Sequence, residues 1–126
     1  MISFAIPIET QSQKHRASSH WAVRARERKR LREATALCWI NQVGIGRHAG
    51  ERTNNCQWTV SLTRVSPRGK FLDDDNLHYV LKPVRDEIAK QLGVDDGPKG
   101  PIAWEYHQSR GEWGVEVILA LARKEQ

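Results

Sequence analysis

Leu77, Leu81, Val84, Ile88 and Leu92 recur at intervals of three or four residues, the spacing that gathers one apolar stripe on a helix turning about 100° per residue. Such a stripe must be covered, and the rest of the chain supplies the cover. Ile2, Phe4, Ile6 and Ile8 alternate with their neighbours, and so do Cys56, Trp58, Val60 and Leu62. Ile102, Trp104 and Tyr106 repeat the pattern, followed by Trp113, Val115, Val117, Leu119 and Leu121. Period two marks strands with one buried face, and Pro7 points to a sheet edge for the first of them. Trp21 to about Asn41 reads as a longer helix, the first in chain order, with Leu31, Ala34, Leu37 and Cys38 facing inward. The order β-α-β-α-β-β predicts an α+β fold, two main helices against a small mixed sheet, in a single domain over residues 1–126. Arg110-Gly111-Glu112 is expected to join the last two strands as a hairpin, and Gly93 to end the second helix. Pro83 lies inside that helix and removes one hydrogen bond, so a kink or a restart is expected there.

Three consecutive carboxylates, Asp73, Asp74 and Asp75, open the second helix, and Asp95-Asp96 follow its end. Adjacent carboxylates repel, which calls for a cation or hydrogen-bond donors to compensate. Hard oxygen ligands of this type suit Mg²⁺, which takes one or two protein carboxylates and leaves its other positions to water and phosphate. If Leu72 to Asp75 is extended, alternation puts Asp73 and Asp75 on one face. The competing role for Asp75 is the N-cap of the helix. Lys82 and Asp86, seven and eleven residues after Asp75, return to within roughly 20° of it on a helical wheel. Lys82 is then placed either to neutralise a phosphate or to form an i,i+4 ion pair with Asp86. For Asp95-Asp96-Gly97-Pro98 the alternative is turn chemistry alone.

The run Asp73-x-Asp75-Asn76-Leu77, then Lys82, Asp86 and Asp95-Asp96, resembles the RusA family of Holliday junction resolvases. These are small, phage-derived, Mg²⁺-dependent DNA endonucleases that act as homodimers. The resemblance implies that Asp73, Asp75, Asp95 and Asp96 hold Mg²⁺ and, with Lys82, carry catalysis. Two positions depart from the family pattern. The family lysine stands four residues after the second aspartate, where this chain has Tyr79, and Leu72 replaces an arginine that can precede the motif. Three extra residues leave Lys82 on the same face but move it about 4.5 Å along the axis. The specific match spans the 24 residues Asp73–Asp96.

A helix from about Asn76 to Leu92 is roughly 25 Å long, whereas oxygens sharing one Mg²⁺ lie about 2.1 Å from it. A straight helix therefore keeps the two acidic clusters apart within one chain. Antiparallel pairing about a two-fold axis would bring one subunit's first cluster to the other's second, so a homodimer with a shared metal site is expected.

The chain carries a formal net charge of +5, and the excess is uneven. Nine of its 20 Lys and Arg fall in residues 1–50 beside three acids, and 11 fall in residues 51–126 beside 12. An excess confined to one part is the footprint of a polyanion site. Arg24, Arg28 and Arg32 repeat at i,i+4 along the first helix, and Lys14 and Arg16 precede it in a polar stretch. Arg68 and Lys70 stand just before the acidic cluster. All seven are expected to contact DNA phosphates without reading sequence, the alternative for the helix being a solvated face. Cys38 and Cys56 have no paired CxxC spacing, which argues against zinc and for a reducing, cytoplasmic location. No signal peptide or membrane span is expected, and the five histidines are assigned no role.

The expected activity is Mg²⁺-dependent cleavage of branched DNA, the Holliday junction above all, by paired nicks. Two alternatives stand beside it. One is a nucleic-acid-binding protein in which the acidic cluster is structural and nothing is cut. The other is a small RNase or unrelated metal-dependent phosphodiesterase.

Overall fold

The computed structural model describes residues 1–10, 21–44, 56–93 and 102–123. Six elements follow in order: β1 (Ile2–Ile6), α1 (Trp21–Gln42), β2 (Cys56–Ser66), α2 (Asp74–Leu92), β3 (Ile102–Arg110) and β4 (Gly114–Arg123). The four strands make one mixed sheet in the order β1-β4-β2-β3. β4 is antiparallel to both β1 and β2, whereas β2 and β3 run parallel and are joined through α2. This is the expected α+β class.

One face of the sheet is covered. Strand register aligns Phe4 with Val117 and Leu62, and Ile6 with Val115, and all five side chains are buried. Leu77, Leu81, Val84, Ile88 and Leu92 of α2 are buried in the same core cluster, as their spacing required. α1 covers the β1 side: the Trp39 and Phe4 rings meet edge to face at 5.8 Å, and Gln42 Nε2 donates to the Ala5 carbonyl at 3.1 Å. The opposite sheet face carries Ser61, Thr63, Glu105, His107 and Glu116, and none of these is buried. Among the described residues no helix is long and apolar enough to cross a membrane.

Three expectations are corrected. β3 and β4 do not form a hairpin, because β2 lies between them. The connection 111–113 crosses the end of β2, with Gly111 N donating to the Ser66 carbonyl at 3.3 Å. A Cβ at Gly111 would lie 2.9 Å from Val65 Cγ1, so the crossing needs glycine. In α1 the inward stripe is Leu31, Thr35 and Trp39, with Ala34 and Cys38 partly buried against the core and Leu37 turned out at 60% exposure. Thr35 can take an inward position because its hydroxyl donates to the Leu31 carbonyl of its own helix at 2.7 Å. Finally, of the two outcomes expected at Pro83 the restart does not occur: α2 runs unbroken from Asp74 to Leu92 with the proline buried against the core.

Gly93 ends α2 as expected, at φ 71°. This left-handed backbone favours glycine, and its N–H reaches the Ala89 and Lys90 carbonyls.

Candidate functional site

β2 ends at Ser66, and the seven residues 67–73 carry the chain to α2 through a turn in which Gly69 has φ 88°. Leu72 is then clamped to β3: its N–H donates to Gln108 Oε1 at 2.9 Å, and Gln108 Nε2 donates to its carbonyl at 2.8 Å. A side-chain amide that satisfies both polar groups of one residue mimics a strand partner and fixes that residue's position. The next residue is Asp73.

Asp73 has extended backbone and is the N-cap of α2. Its Oδ1 accepts the Asn76 N–H at 2.9 Å, and its Oδ2 accepts from Asn76 Nδ2 at 3.2 Å. Two expectations change as a result. The cap role belongs to Asp73 rather than Asp75, and the extended alternation linking them breaks, because the helix already begins at Asp74. Asp74 and Asp75 occupy the first turn, where the helix dipole favours negative charge. All three carboxylates are exposed.

Lys82 Nζ lies 3.2 Å from both carboxylate oxygens of Asp86, an i,i+4 pair on the surface. Its partner in this structure is Asp86 rather than a member of the acidic cluster. Asp95 and Asp96, like Lys14 and Arg16, lie outside the described residues.

The basic row of α1 runs beside α2. Arg24 and Arg28 line a groove with Glu27 and Leu31 of their own helix, Tyr79, Val80 and Pro83 of α2, and Glu9 and Thr10. Arg32 lines a second groove farther along with Lys29, Asp86, Glu87 and Lys90. Tyr79 stands four residues after Asp75, about 6 Å along the helix axis. Arg24 and Arg28 therefore flank the stretch of α2 that follows the acidic cluster. Arg68 and Lys70 are exposed in the connection before Leu72.

Several residues at this end of the molecule were not singled out from sequence. Gln108 is one. Arg85 is a second: it donates to Tyr106 Oη at 2.9 Å and lies 4.9 Å from the Trp104 ring, while His78 stacks on Tyr106 at 3.8 Å. These contacts tie α2 to β3 at the sheet edge. Arg64 is a third, and only 5% exposed. Its Nε and Nη2 donate to Thr10 Oγ1 and to the Thr10 carbonyl at 2.9 and 3.0 Å, and its Nη1 has no partner. Burial lowers the pKa of Arg64, and the nearby charge of Arg110 adds to the effect. The sequence did hold a signal for Arg64, because it continues the inward positions Trp58, Val60 and Leu62 at period two.

The donor chemistry suits a hard cation. Each oxygen of Asp73 spends one lone pair on Asn76 and keeps another, and the Asp75 carboxylate is exposed to solvent. Among the described residues no group of three or more His, Cys, Asp or Glu side chains is arranged to hold a metal ion. No family model, curated protein or solved structure matches the chain.

Proposed function

We propose that this protein is a Mg²⁺-dependent endonuclease of branched DNA, acting as a homodimer that nicks opposed strands. The observation that carries this reading is the run of exposed groups entering α2: the cations Arg68 and Lys70 precede three exposed carboxylates, Asp73 to Asp75, and Arg24 and Arg28 line a groove against the next turn of the helix at Tyr79 and Val80. The carboxylates keep lone pairs that a cation can take, and exposed basic side chains can take an anion. A DNA phosphate with its Mg²⁺ supplies both.

In this reading Asp73 and Asp75 hold Mg²⁺ with the Asp95-Asp96 pair, contributed by the partner subunit. The bound ion supplies Lewis-acid stabilisation of the developing phosphate charge and a lowered pKa for the attacking water. The chain's own residues do the rest. Gln108 and the Asn76 contacts fix where the Asp73 carboxylate sits, Arg24, Arg28 and Arg32 seat successive phosphates along α1, and Arg68 and Lys70 seat those entering the site. To act on a phosphate Lys82 must leave Asp86, a surface pair worth about 0.2–1 kcal/mol. The cytoplasmic location follows from this role.

The test is cleavage of a labelled four-way junction beside linear duplex and single-stranded RNA, with Mg²⁺ or with chelator, by wild type and Asp75→Asn. Paired symmetric nicks, lost with chelator and with the substitution, are the expected result. Tight binding without cleavage under any divalent metal would leave a DNA-binding protein with a structural acidic cluster. Preferential RNA cleavage would point to a ribonuclease.

A further inference from the structure

On the connection between β2 and α2, Leu72 packs against the core, whereas Phe71 is 48% exposed. Its position is well determined from both sides. The following residue, Leu72, is clamped by Gln108. The guanidinium of Arg110, at the end of β3, stacks 4.5 Å from the Phe71 ring. Arg110 is itself anchored, donating to the Gly69 carbonyl and, at 3.5 Å, to Ser66 Oγ. One side of the ring is therefore backed by a fixed cation, and nearly half of the side chain remains open to solvent.

The surroundings identify what the open side fits. Arg68 and Lys70 precede Phe71 in sequence and are exposed; among the described residues no ion pair involves either of them, or Arg110. The acids nearby are Asp73 to Asp75 and, beyond Arg110, Glu112. A solitary exposed aromatic beside three cations offers too little apolar area for a protein interface core. It does match a nucleic-acid platform, in which a ring takes the face of a base while neighbouring Lys and Arg take the flanking phosphates. A guanidinium stacked behind the ring extends the flat surface and adds positive charge.

We propose that Phe71, backed by Arg110, is a stacking platform for an unpaired nucleobase, with Arg68 and Lys70 holding the adjacent phosphates. This rests on the nucleic-acid reading above and makes it more specific. Bases inside a regular duplex present no free face, so the platform engages only DNA whose bases are already splayed or unpaired, as at a branch point, flap or gap. Phe71 stands two residues before Asp73. A base seated on it brings its neighbouring phosphates to the carboxylates, which makes structure selectivity a property of this loop rather than of the acidic cluster.

The experiment measures binding in the presence of chelator, so that cleavage does not intervene. The ligands are a four-way junction carrying 2-aminopurine at the branch point and a linear duplex of the same composition. The variants are Phe71→Ala, Phe71→Leu and Phe71→Trp. Wild type should change the 2-aminopurine fluorescence on binding. Phe71→Ala and Phe71→Leu should weaken junction binding about tenfold, with the fluorescence change lost and duplex affinity held to within about twofold, while Phe71→Trp retains both signals. Wild-type behaviour of Phe71→Ala would overturn the proposal. So would rescue by Phe71→Leu, which keeps apolar bulk without a ring, or equal loss on junction and duplex. A wild type that seats the base but never cuts with Mg²⁺ overturns the nuclease reading and leaves the platform standing. A Phe71→Ala variant that binds and cuts junctions like wild type does the reverse.

Discussion

Asp73 holds Asn76 twice, through its backbone N–H at 2.9 Å and its side-chain amide at 3.2 Å. The residue that starts α2 is therefore also the first of the proposed metal ligands. One carboxylate serves two purposes, and they can be separated by substitution.

Asp73→Ala removes the cap as well as a ligand and should cost about 0.5–2 kcal/mol of stability. Asp73→Asn keeps a good capping side chain and should cost much less, yet it removes the negative charge a metal needs. The expected pattern is near-normal unfolding for Asp73→Asn with Mg²⁺ affinity and cleavage lost. Asp75→Asn, at an exposed first-turn position, should behave likewise. Urea unfolding and calorimetric Mg²⁺ titration of the same variants check it, and undiminished Mg²⁺ binding by both Asn variants would remove the ligand assignment.

Gln108 controls the approach to this site from β3. Gln108→Leu keeps the volume but leaves the Leu72 N–H and carbonyl without their partner, which should cost about 1–3 kcal/mol. Since Gln108 touches no proposed ligand, its effect on cleavage should come through position. The turnover rate should fall while junction affinity stays near wild type, and Gln108→Asn, one methylene short, should not restore it. Equal loss of affinity and rate would mean that the clamp only supports the fold.

Much of this architecture was legible because local patterns decide it. The stripe from Leu77 to Leu92, the four alternating segments and Gly93 at the helix end each follow from a single period or a single backbone requirement. What was not legible depends on partners distant in sequence. Alternation in β3 and β4 is the same whether they pair or β2 slips between them, so the crossing of Gly111 over Val65 had no local mark. Leu37 was expected inward and Thr35 was not, but a hydroxyl that bonds its own helix removes the penalty for burial. At the site, residue types pointed to Asp73 and Asp75, but the start of the helix decided that Asp73 is the cap. Gln108, 36 residues from Leu72, carried no signal that spacing could reveal.

Lys82 and Asp86 offer a cleaner separation of surface electrostatics from chemistry. Their pair is exposed, with 66% and 37% of the side chains accessible, so breaking it from either side should cost no more than about 1 kcal/mol. If Lys82 serves the phosphate, Lys82→Ala should reduce cleavage by one to two orders of magnitude, on the order of what lost charge stabilisation produces. Asp86→Asn should leave activity unchanged or raised, since it frees the lysine. Cleavage rates at saturating junction decide the matter, and parallel losses in the two variants would confine Lys82 to the ion pair.

Cys38 gives a prediction in pH. Burial raises the pKa of its thiol, because the core tolerates the neutral form better than the thiolate. In a Cys56→Ser background, alkylation by iodoacetamide should be slower than that of free cysteine at every pH from neutral to mildly alkaline. The linked stability has the corresponding sign. With the folded pKa above the unfolded one, the contribution is fully present at neutral pH and is lost as pH rises through the folded value. Stability measured by urea unfolding should therefore decline on the alkaline side, and Cys38→Ala should remove that part of the decline.

Arg64 tests whether charge or hydrogen bonding matters more inside this core. Its two bonds to Thr10 tie the end of the first segment to β2, and the Trp113 ring lies 5.2 Å from its guanidinium. Against these stand a buried charge that no carboxylate offsets among the described residues and an Nη1 without a partner. Arg64→Met loses the Thr10 bonds, at about 1–3 kcal/mol for an orphaned buried acceptor. It also relieves the burial of the charge, which can return about 1–4 kcal/mol. The two nearly cancel. Arg64→Lys keeps the charge in the same apolar setting and has no planar fork with which to reach both Thr10 oxygens, so it loses on both counts. The conservative change should be the more destabilising one, by at least about 1 kcal/mol in urea unfolding. If instead Arg64→Lys proves milder than Arg64→Met, the charge is compensated in solution, and the cost assigned to its burial is wrong.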